Sequence, residues 1–408
     1  MADIICAIDV GTTKVTAIIA EVVDAETLHV VGFGRAPSDG MTKGVVTNVA
    51  AATAAIGQAV EEAEHAADRS IGRAYVGIAG SHIDAQPSRG AVPIGRNRVV
   101  TLDDVSRVKE AARAVALPHN REIIHVVARS YAVDEQEDLQ DPLGMHGFRL
   151  SVDAQVITGA TGAVRNLLSC VQTHGIEIEE LVLEPLASGE AVLTDAERDM
   201  GVVVVDIGGG TTDVAMFIKG SLWHTVVLDV GGQHLTHDLA VGLGAPFEAA
   251  EQLKVRYGSA LADRIAPDQE VNVEVFGETE PRVVSRLLVA EILEARAEEM
   301  VNLILREIKR SGYDGLIPAG LVFTGGTARL AGLRDLARQM THLPVRIGAP
   351  VGITGLPDEL RTPDNATGVG MLKWALRGQW VAVEYGERRQ RSPFMERIMR
   401  WLQNLLPD

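Results

Sequence analysis

Two short segments of the chain, about half a chain apart, combine an aspartate with glycines and threonines. Glycine lets the backbone turn tightly and approach an anion, so backbone N–H groups and threonine hydroxyls can donate to phosphate oxygens. An aspartate at the preceding strand end can hold Mg²⁺ through water. One such segment alone could equally be an ordinary tight turn, but two matched copies favour two related lobes closing on one nucleotide. The segments are Asp9-Val10-Gly11-Thr12-Thr13, followed by the positive charge of Lys14, and Asp206-Ile207-Gly208-Gly209-Gly210-Thr211-Thr212-Asp213.

Runs rich in β-branched residues flank each segment, so the pattern predicts strand, turn, strand. These runs are 4–8 and 15–19 around the first segment, and 202–205 and 214–218 around the second. A Walker loop would instead need Gly-x-x-x-x-Gly-Lys-Ser/Thr between a strand and a helix, and no such string occurs. The Gly-x-Gly-x-x-Gly fingerprint of dinucleotide-binding proteins is absent too.

Composition narrows the class of protein further. The 408 residues are 46% hydrophobic, which predicts two or more domains with substantial cores. A formal net charge of −17 disfavours nucleic acid as a partner. The two cysteines, Cys6 and Cys170, form no metal-binding pattern and fit a reducing cytoplasm. The first predicted strand begins close to Met1, so we expect no secretory leader, and without a run of about 18 apolar residues we expect any membrane contact to be peripheral.

The order of predicted elements indicates two lobes and an insertion. After the first strands, 48–67 is predicted to be a helix and 73–78 a strand, which is typical of a mixed sheet covered by helices. Prolines punctuate 83–156, where a helix at 102–115 and extended runs at 122–127 and 129–133 predict an inserted α+β subdomain. The second lobe begins at Val202, and 241–299 is mainly helical with a β-like patch at 270–276.

Three further segments are rich in small residues. A Gly-Gly turn after a strand, in 321–328, allows a ligand to approach the backbone, although such a turn is often only a turn. The segments 184–191 and 365–370 predict two helices that cross closely, either as a hinge between lobes or as a rigid packing contact.

Taken in order, these motifs resemble the superfamily of actin, Hsp70 and the sugar kinases, and more finely the FtsA family of bacterial cell-division proteins. The resemblance covers essentially the whole chain. It implies an α/β, actin-like, two-lobed ATPase fold with an inserted α+β subdomain and a C-terminal amphipathic helix. Besides the second phosphate motif, the strings that carry it are Glu184-Pro185-Leu186-Ala187-Ser188, Gly231-Gly232-Gln233-His234-Leu235-Thr236-His237-Asp238-Leu239-Ala240, Ala250-Glu251-Gln252-Leu253-Lys254, Val322-Phe323-Thr324-Gly325-Gly326-Thr327-Ala328 and Val345-Arg346-Ile347-Gly348-Ala349-Pro350.

A set of site residues follows from this resemblance. Asp9 and Asp206 would organise Mg²⁺, and Asp206 would also act in catalysis. Glu184 would position the attacking water, with at most slow ATP hydrolysis. The phosphates of ATP would be wrapped by Gly11, Thr12, Thr13, Lys14, Gly208, Gly209, Gly210 and Thr211. Gly325 and Gly326 would line the adenosine, and Glu251 and Lys254 would reach the nucleoside unless they form only a surface ion pair.

The resemblance also implies a division of the chain and its partners. Segment 83–156 would make head-to-tail filament contacts, and 232–296 would bind the C-terminal tail of the tubulin-like protein FtsZ. Arg282 and Arg286 would dock that acidic peptide, although each could simply belong to a solvated charged face. The remaining predicted parts are a first lobe core at 1–82, 157–197 and 355–380, a second lobe core at 198–231 and 297–354, a linker at 381–393 and a terminal helix at 394–408.

The terminal segment has a strongly amphipathic pattern. At about 100° per residue its apolar side chains fall within roughly 160° of arc, and a basic linker precedes them. This predicts an interfacial anchor on an anionic membrane, with a packed helix or a partner-binding helix as the alternatives. The apolar residues are Phe394, Met395, Ile398, Met399, Trp401, Leu402, Leu405 and Leu406.

The function implied by the resemblance is an ATP-binding scaffold that polymerises on the inner face of the cytoplasmic membrane. It would tether FtsZ filaments there during septum assembly and bind later division proteins. A small-molecule kinase of the same superfamily is the alternative, but a kinase has little use for an amphipathic tail. An Hsp70-like chaperone would need a peptide-binding domain after the ATPase, and only about 30 residues follow the second linking helix.

Overall fold

A computed structural model describes residues 4–24, 27–95 and 97–384. The predicted membrane helix at 394–408 lies outside the described residues, as does most of the predicted linker at 381–393.

The first lobe begins with an antiparallel meander covered by a helix. The side chain of Asn48 caps that helix by accepting a hydrogen bond from the Ala51 N–H at 3.1 Å. Two glycines on the third strand let the helix pack closely, since a Cβ at Gly34 would lie 2.2 Å from the Ala59 carbonyl oxygen. The predicted helix at 48–67 and strand at 73–78 are confirmed. The elements are β1 (Ile4–Val10), β2 (Lys14–Val22), β3 (Leu28–Pro37), β4 (Met41–Thr42), β5 (Val45–Val46), α1 (Val49–Ala67) and β6 (Arg73–Ile78).

An α+β unit is then inserted, as the sequence predicts. Its antiparallel sheet has the strand order β7-β10-β8-β9, and its helix α2 packs on β7 and β10. The two extended runs predicted at 122–127 and 129–133 form a single strand, whose pairing with β10 is interrupted at Asp153/Ala154 and Ile157/Thr158. The elements are β7 (Asp84–Pro93), α2 (Leu102–Arg113), β8 (Arg121–Val133), β9 (Gln136–Leu139) and β10 (Arg149–Ala160).

The chain returns to the first lobe and then crosses to the second. The first sheet is completed by a strand parallel to β6, giving the order β11-β6-β1-β2-β3. The first linking helix, α4, follows directly. The elements are α3 (Thr161–Gln172), β11 (Glu177–Leu183), α4 (Glu184–Val192) and α5 (Asp195–Met200).

The second lobe repeats the architecture of the first. Its sheet has the order β14-β13-β12-β17-β18, so an antiparallel meander again has two parallel strands beside its first strand. The predicted patch at 270–276 is one strand of a small hairpin. The elements are β12 (Val202–Ile207), β13 (Thr212–Ile218), β14 (Ser221–Leu228), α6 (Gly232–Leu243), α7 (Phe247–Tyr257), β15 (Glu270–Val273), β16 (Arg282–Ser285), α8 (Arg286–Ser311), β17 (Leu321–Thr324), α9 (Leu333–Thr341), β18 (Val345–Ile347) and α10 (Ala366–Glu384).

The two linking helices, α4 and α10, pack directly against each other. A Cβ at Gly370 would lie only 1.8 Å from the Ala187 carbonyl oxygen, so no side chain fits at this crossing. The close crossing predicted from the small residues is therefore confirmed. Helix α10 also packs on β1, β2 and β6 of the first lobe.

Within the described part of the chain, no helix combines the length and the apolarity needed to cross a membrane.

Candidate functional site

The two predicted phosphate-binding segments form the same turn. Gly11 N–H donates to the Lys14 carbonyl oxygen, and Gly208 N–H donates to that of Thr211, both at 3.0 Å. The first turn joins β1 to β2 and the second joins β12 to β13, so each ends the central antiparallel pair of its sheet. Among the described residues, the N–H groups of Thr12, Thr13, Gly209 and Gly210 donate to no protein acceptor. These groups remain free to bind an anion.

The two turns face each other across the gap between the lobes. A Cβ at Gly209 would lie 2.3 Å from Thr13 Cγ2, and one at Gly210 would lie 2.8 Å from Thr12 Oγ1. Gly44 N–H, in the loop between β4 and β5, donates to Thr12 Oγ1 at 3.3 Å. The absence of side chains on the second turn therefore allows this approach.

A cavity of about 670 Å³ opens beside the turns and runs between the lobes. Gly210 lies against Thr12 and does not border the cavity. The other residues predicted to bind nucleotide or Mg²⁺ all line it, as does Glu184, predicted to position the attacking water. The nucleotide and Mg²⁺ residues are Asp9, Gly11, Thr12, Thr13, Lys14, Asp206, Gly208, Gly209, Thr211, Glu251, Lys254, Gly325 and Gly326. The structure thus brings together residues from both halves of the chain.

Four acidic side chains line the inner end of this cavity. Burial, together with the charges of Asp206 and Asp364, raises the pKa of Asp9 to about 7 in spite of the nearby Lys14. Burial is also the main cause that raises the pKa of Glu184, Asp206 and Asp213. With so many carboxyl groups close together, a nearby cation would favour their ionised forms.

Asp213 is a site residue to which the sequence analysis assigned no role. It is 3% exposed, it pairs with Asp206 across β12 and β13, and its Oδ1 atom has no hydrogen-bond partner among the described residues. A buried acceptor without a partner is rare and is expected to serve water or a cation. The signal was present in the sequence, since Asp213 closes the second motif.

Lys14 makes two polar contacts at the start of α10. Its Nζ lies 2.6 Å from Asp364 Oδ2 and 2.9 Å from Asn365 Oδ1. Asp364 is half-buried, which by itself raises the pKa of a carboxyl, but the charge and hydrogen bond of Lys14 outweigh this effect and lower it. Asp364 was also missed from sequence, because its partner is 350 residues away.

Helix α7 and the Gly-Gly turn form another part of the cavity wall. Lys254 Nζ lies 2.7 Å from Glu251 Oε2 and donates to the Gly232 carbonyl oxygen at 3.0 Å, so the two residues form an ion pair and also line the cavity. Gly325 has a φ of +83°, and a Cβ there would lie 2.4 Å from Asp206 Oδ1. The Gly-Gly turn therefore lies directly against the second phosphate turn.

The two arginines predicted to bind a partner have separate environments. Arg282, in β16, forms an exposed ion pair with Glu278. Arg286 begins α8, donates to Gln269 Oε1 at 2.7 Å and to the Tyr257 carbonyl oxygen at 3.0 Å, and borders the cavity. Their role in binding a partner stays a prediction.

Among the residues described, no three His, Cys, Asp or Glu side chains form a group that could hold a metal ion. The prediction that Asp9 and Asp206 act through water remains compatible with this arrangement, because Mg²⁺ usually keeps several of its waters in proteins.

Solved structures share this architecture. The chain is similar to one in the PilM-PilN type IV pilus biogenesis complex, with 16% identity and a TM-score of 0.65, covering 91% of this chain and 98% of that one. It is also similar to MreB5 of Spiroplasma citri bound to ADP, with 15% identity and a TM-score of 0.54, covering 92% and 98%. The fold and the site between its lobes define a two-lobed α/β protein of the actin-like class.

The particular family within this class follows from sequence relatives. A family model described as "Cell division protein FtsA" matches residues 203–370, and one described as "SHS2 domain inserted in FTSA" matches 80–158. The chain is 42% identical to "Cell division protein FtsA" of Pseudomonas aeruginosa, covering 98% of this chain and 97% of that one. It is 35% identical to "Cell division protein FtsA" of Escherichia coli (strain K12), covering 98% of this chain and 97% of that one. The chain belongs to the FtsA family of cell division proteins. The resemblance drawn from the motifs is confirmed, and the kinase alternative is not favoured.

Proposed function

We propose that this protein binds ATP between its lobes and acts as an actin-like scaffold that joins FtsZ filaments to the cytoplasmic face of the inner membrane during septum assembly. The observation that carries the nucleotide part is the pair of facing turns with free N–H groups. Each turn provides one set of N–H donors, and the two sets face each other where the lobes meet. The affinity for ATP would therefore depend on the relative position of the lobes.

The residues of the site suit a nucleoside triphosphate. The free N–H groups of the two turns would donate to phosphate oxygens, and Lys14 would exchange its contact with Asp364 for a phosphate. Asp9, Asp206 and Asp213 would hold hydrated Mg²⁺, which supplies positive charge to offset that of the phosphates. As observations on other proteins, the Spiroplasma citri MreB5 structures contain ADP in one case and AMPPNP in the other.

Hydrolysis is expected to be slow. Glu184 is the first residue of α4 and faces the cavity, where as a carboxylate it could accept a hydrogen bond from the attacking water. Burial, with the charges of Asp9 and Asp213, raises its pKa. A protonated Glu184 accepts a proton poorly, so we propose a nucleotide-dependent assembly switch and not an efficient ATPase.

The membrane and partner functions depend mainly on the sequence and the family. The amphipathic segment from Phe394 to Leu406 would insert into an anionic leaflet, and self-association would place many such anchors on one filament. Residues 83–156 would take part in the filament contacts. Residues 232–296 would bind the C-terminal tail of FtsZ, with Arg282 and Arg286 as contacts, and later division proteins would join the assembly.

The turn geometry can be tested with a glycine substitution and a matched control. Gly209→Ala would place a methyl group 2.3 Å from Thr13 Cγ2 and should weaken ATP binding at least tenfold, measured by titration calorimetry with Mg²⁺. Gly162→Ala, in α3, meets no atom within 4 Å and should bind ATP as the unmodified protein does. Equal affinity of both variants would contradict the proposal that ATP binds closely against Gly209.

A further inference from the structure

The two linking helices meet at one carboxylate of the candidate site. Ser188 of α4 donates from Oγ to Asp206 Oδ2 at 2.5 Å, and Thr367 Oγ1 of α10 lies 3.3 Å from the same oxygen. The two hydroxyl oxygens are 3.0 Å apart. Ser188 is 0% exposed, Thr367 7% and Asp206 9%, so water hardly competes for these bonds.

When Asp206 is ionised, the number of hydrogens limits this small network to two arrangements. A hydroxyl carries one hydrogen, and that of Ser188 is used by Asp206. Thr367 must then donate either to Asp206 or to Ser188. In both arrangements each hydroxyl supports the same carboxylate oxygen, directly or through its neighbour. The other oxygen, Oδ1, lies close to Gly325, where a Cβ would be 2.4 Å from it.

The elements that carry the hydroxyl groups also connect the lobes. Helix α4 follows β11 of the first sheet and leads through α5 to β12 of the second, while α10 packs on β1 and β2 of the first lobe. Asp206 belongs to β12 in the second lobe. A rotation of the lobes about the crossing of α4 and α10 would therefore change the distances from the hydroxyl groups to Asp206.

We propose that Ser188 and Thr367 are positioning residues that hold Asp206 and couple its geometry to the angle between the lobes. This inference rests on the proposed binding of ATP at the same site. Asp206 would be oriented for hydrated Mg²⁺ only when both hydroxyls are in place, so closing of the lobes and Mg²⁺-dependent affinity would be linked.

Removing the hydroxyl groups should reduce the part of ATP affinity that depends on Mg²⁺. Calorimetry in Mg²⁺ should show roughly tenfold weaker ATP binding for Ser188→Ala, and a similar or smaller loss for Thr367→Val, since bonds to charged groups are among the stronger ones. In EDTA the variants should bind ATP as the unmodified protein does. Thr367→Ser keeps the hydroxyl and should recover most of the loss. A structural defect would instead lower affinity equally in Mg²⁺ and EDTA, which would overturn the proposal.

A second experiment measures the change in distance between the lobes. Both native cysteines are buried, so cysteines introduced at the exposed positions Val23 and Val241 can carry a fluorescent donor and acceptor. Saturating Mg²⁺-ATP should change the energy transfer in the parent protein, and by less than half as much in the Ser188→Ala, Thr367→Val double variant. If the parent protein binds no ATP, the proposed function fails and this inference with it. If the parent and the double variant bind and close alike, only the role of the hydroxyls is overturned.

Discussion

At the scale of residues, the site is governed by carboxyl groups that are buried close together. Asp9, Glu184, Asp206 and Asp213 all have raised pKa values, and burial is the largest cause in each case. The positive charge of Lys14 opposes this effect and lowers the pKa of both Asp9 and Asp206. The folded protein without ligand therefore keeps protons on these carboxyl groups at pH values at which an unfolded chain has already released them.

Asp9 provides a measurable consequence of this excess charge. Its pKa is about 7 in the folded protein and near its ordinary value of 3.8 in the unfolded chain, so its protonation stabilises the fold fully below pH 3.8. That contribution is lost as the pH rises through about 7. The melting temperature of ligand-free protein should therefore fall between about pH 4 and 7 more steeply than that of Asp9→Asn. Parallel curves for the two proteins would contradict the raised pKa.

At the scale of elements, the contact between α4 and α10 has no tolerance for added atoms. Gly370 lies where a Cβ would approach the Ala187 carbonyl oxygen to 1.8 Å, and Gly189 lies where a Cβ would meet the Phe217 ring at 2.8 Å. A buried ion pair between Glu190 and Arg198, at 3.0 Å, adds a charged contact beside this crossing. Helices α4 and α10 can therefore shift only together, because neither has space to move against the other.

Two glycines of α10 give a matched test of this close packing. Gly370→Ala should lower the free energy of unfolding by about 1–3 kcal/mol, since α4 must move away from the new methyl group. Gly378→Ala, where no atom lies within 4 Å, should raise it by about 0.5–1 kcal/mol through helix propensity. Urea unfolding monitored by circular dichroism measures both. Equal stability of the two variants would show that the helices are not in this contact.

Much of the local structure could be predicted from sequence because it depends on neighbours in the chain. The helix beginning after Asn48 has a clear N-cap, and the strand Arg73–Ile78 is a short, mostly apolar run that ends at Ala79-Gly80-Ser81. Strand β8 was predicted as two runs, because its interrupted pairing with β10 involves residues far away in sequence. The role of Asp364 also depends on a contact between residues far apart in sequence, that with Lys14. The phosphate turns could be predicted, because glycines adjacent in sequence determine their geometry.

At the scale of the whole molecule, the inserted unit contacts both lobes. The Arg129 guanidinium of β8 lies 4.3 Å from the ring centroid of Trp223 and donates to the Tyr313 hydroxyl at 3.1 Å, and both aromatic residues belong to the second lobe. His125 Nε2 accepts a hydrogen bond at 3.1 Å from the N–H of Leu183, immediately before α4. A change in the angle between the lobes would therefore move the insert, whose predicted role is contact between protomers.

The proposed membrane function depends on many weak anchors acting together. The segment from Phe394 to Leu406 is about 13 residues long, so one copy should be marginally helical in water and bind a bilayer weakly. A filament presents many copies at a high effective concentration, and its binding should be much tighter than that of one protomer. The protein should therefore sediment with anionic liposomes more completely with Mg²⁺-ATP than without it.

Substitutions on opposite faces of this segment separate insertion from simple charge attraction. Replacing Trp401 and Leu402 with glutamate should abolish sedimentation with anionic liposomes, as should ending the chain at Gln390, because the apolar face would be lost. Replacing Gln403 and Asn404 with glutamate adds the same charge on the polar face and should reduce binding only in part, since it opposes the anionic leaflet without removing apolar contact. If both double variants lose binding equally, charge and not insertion would hold the protein at the membrane. If the chain ending at Gln390 still sediments with the liposomes, the anchor lies elsewhere in the protein.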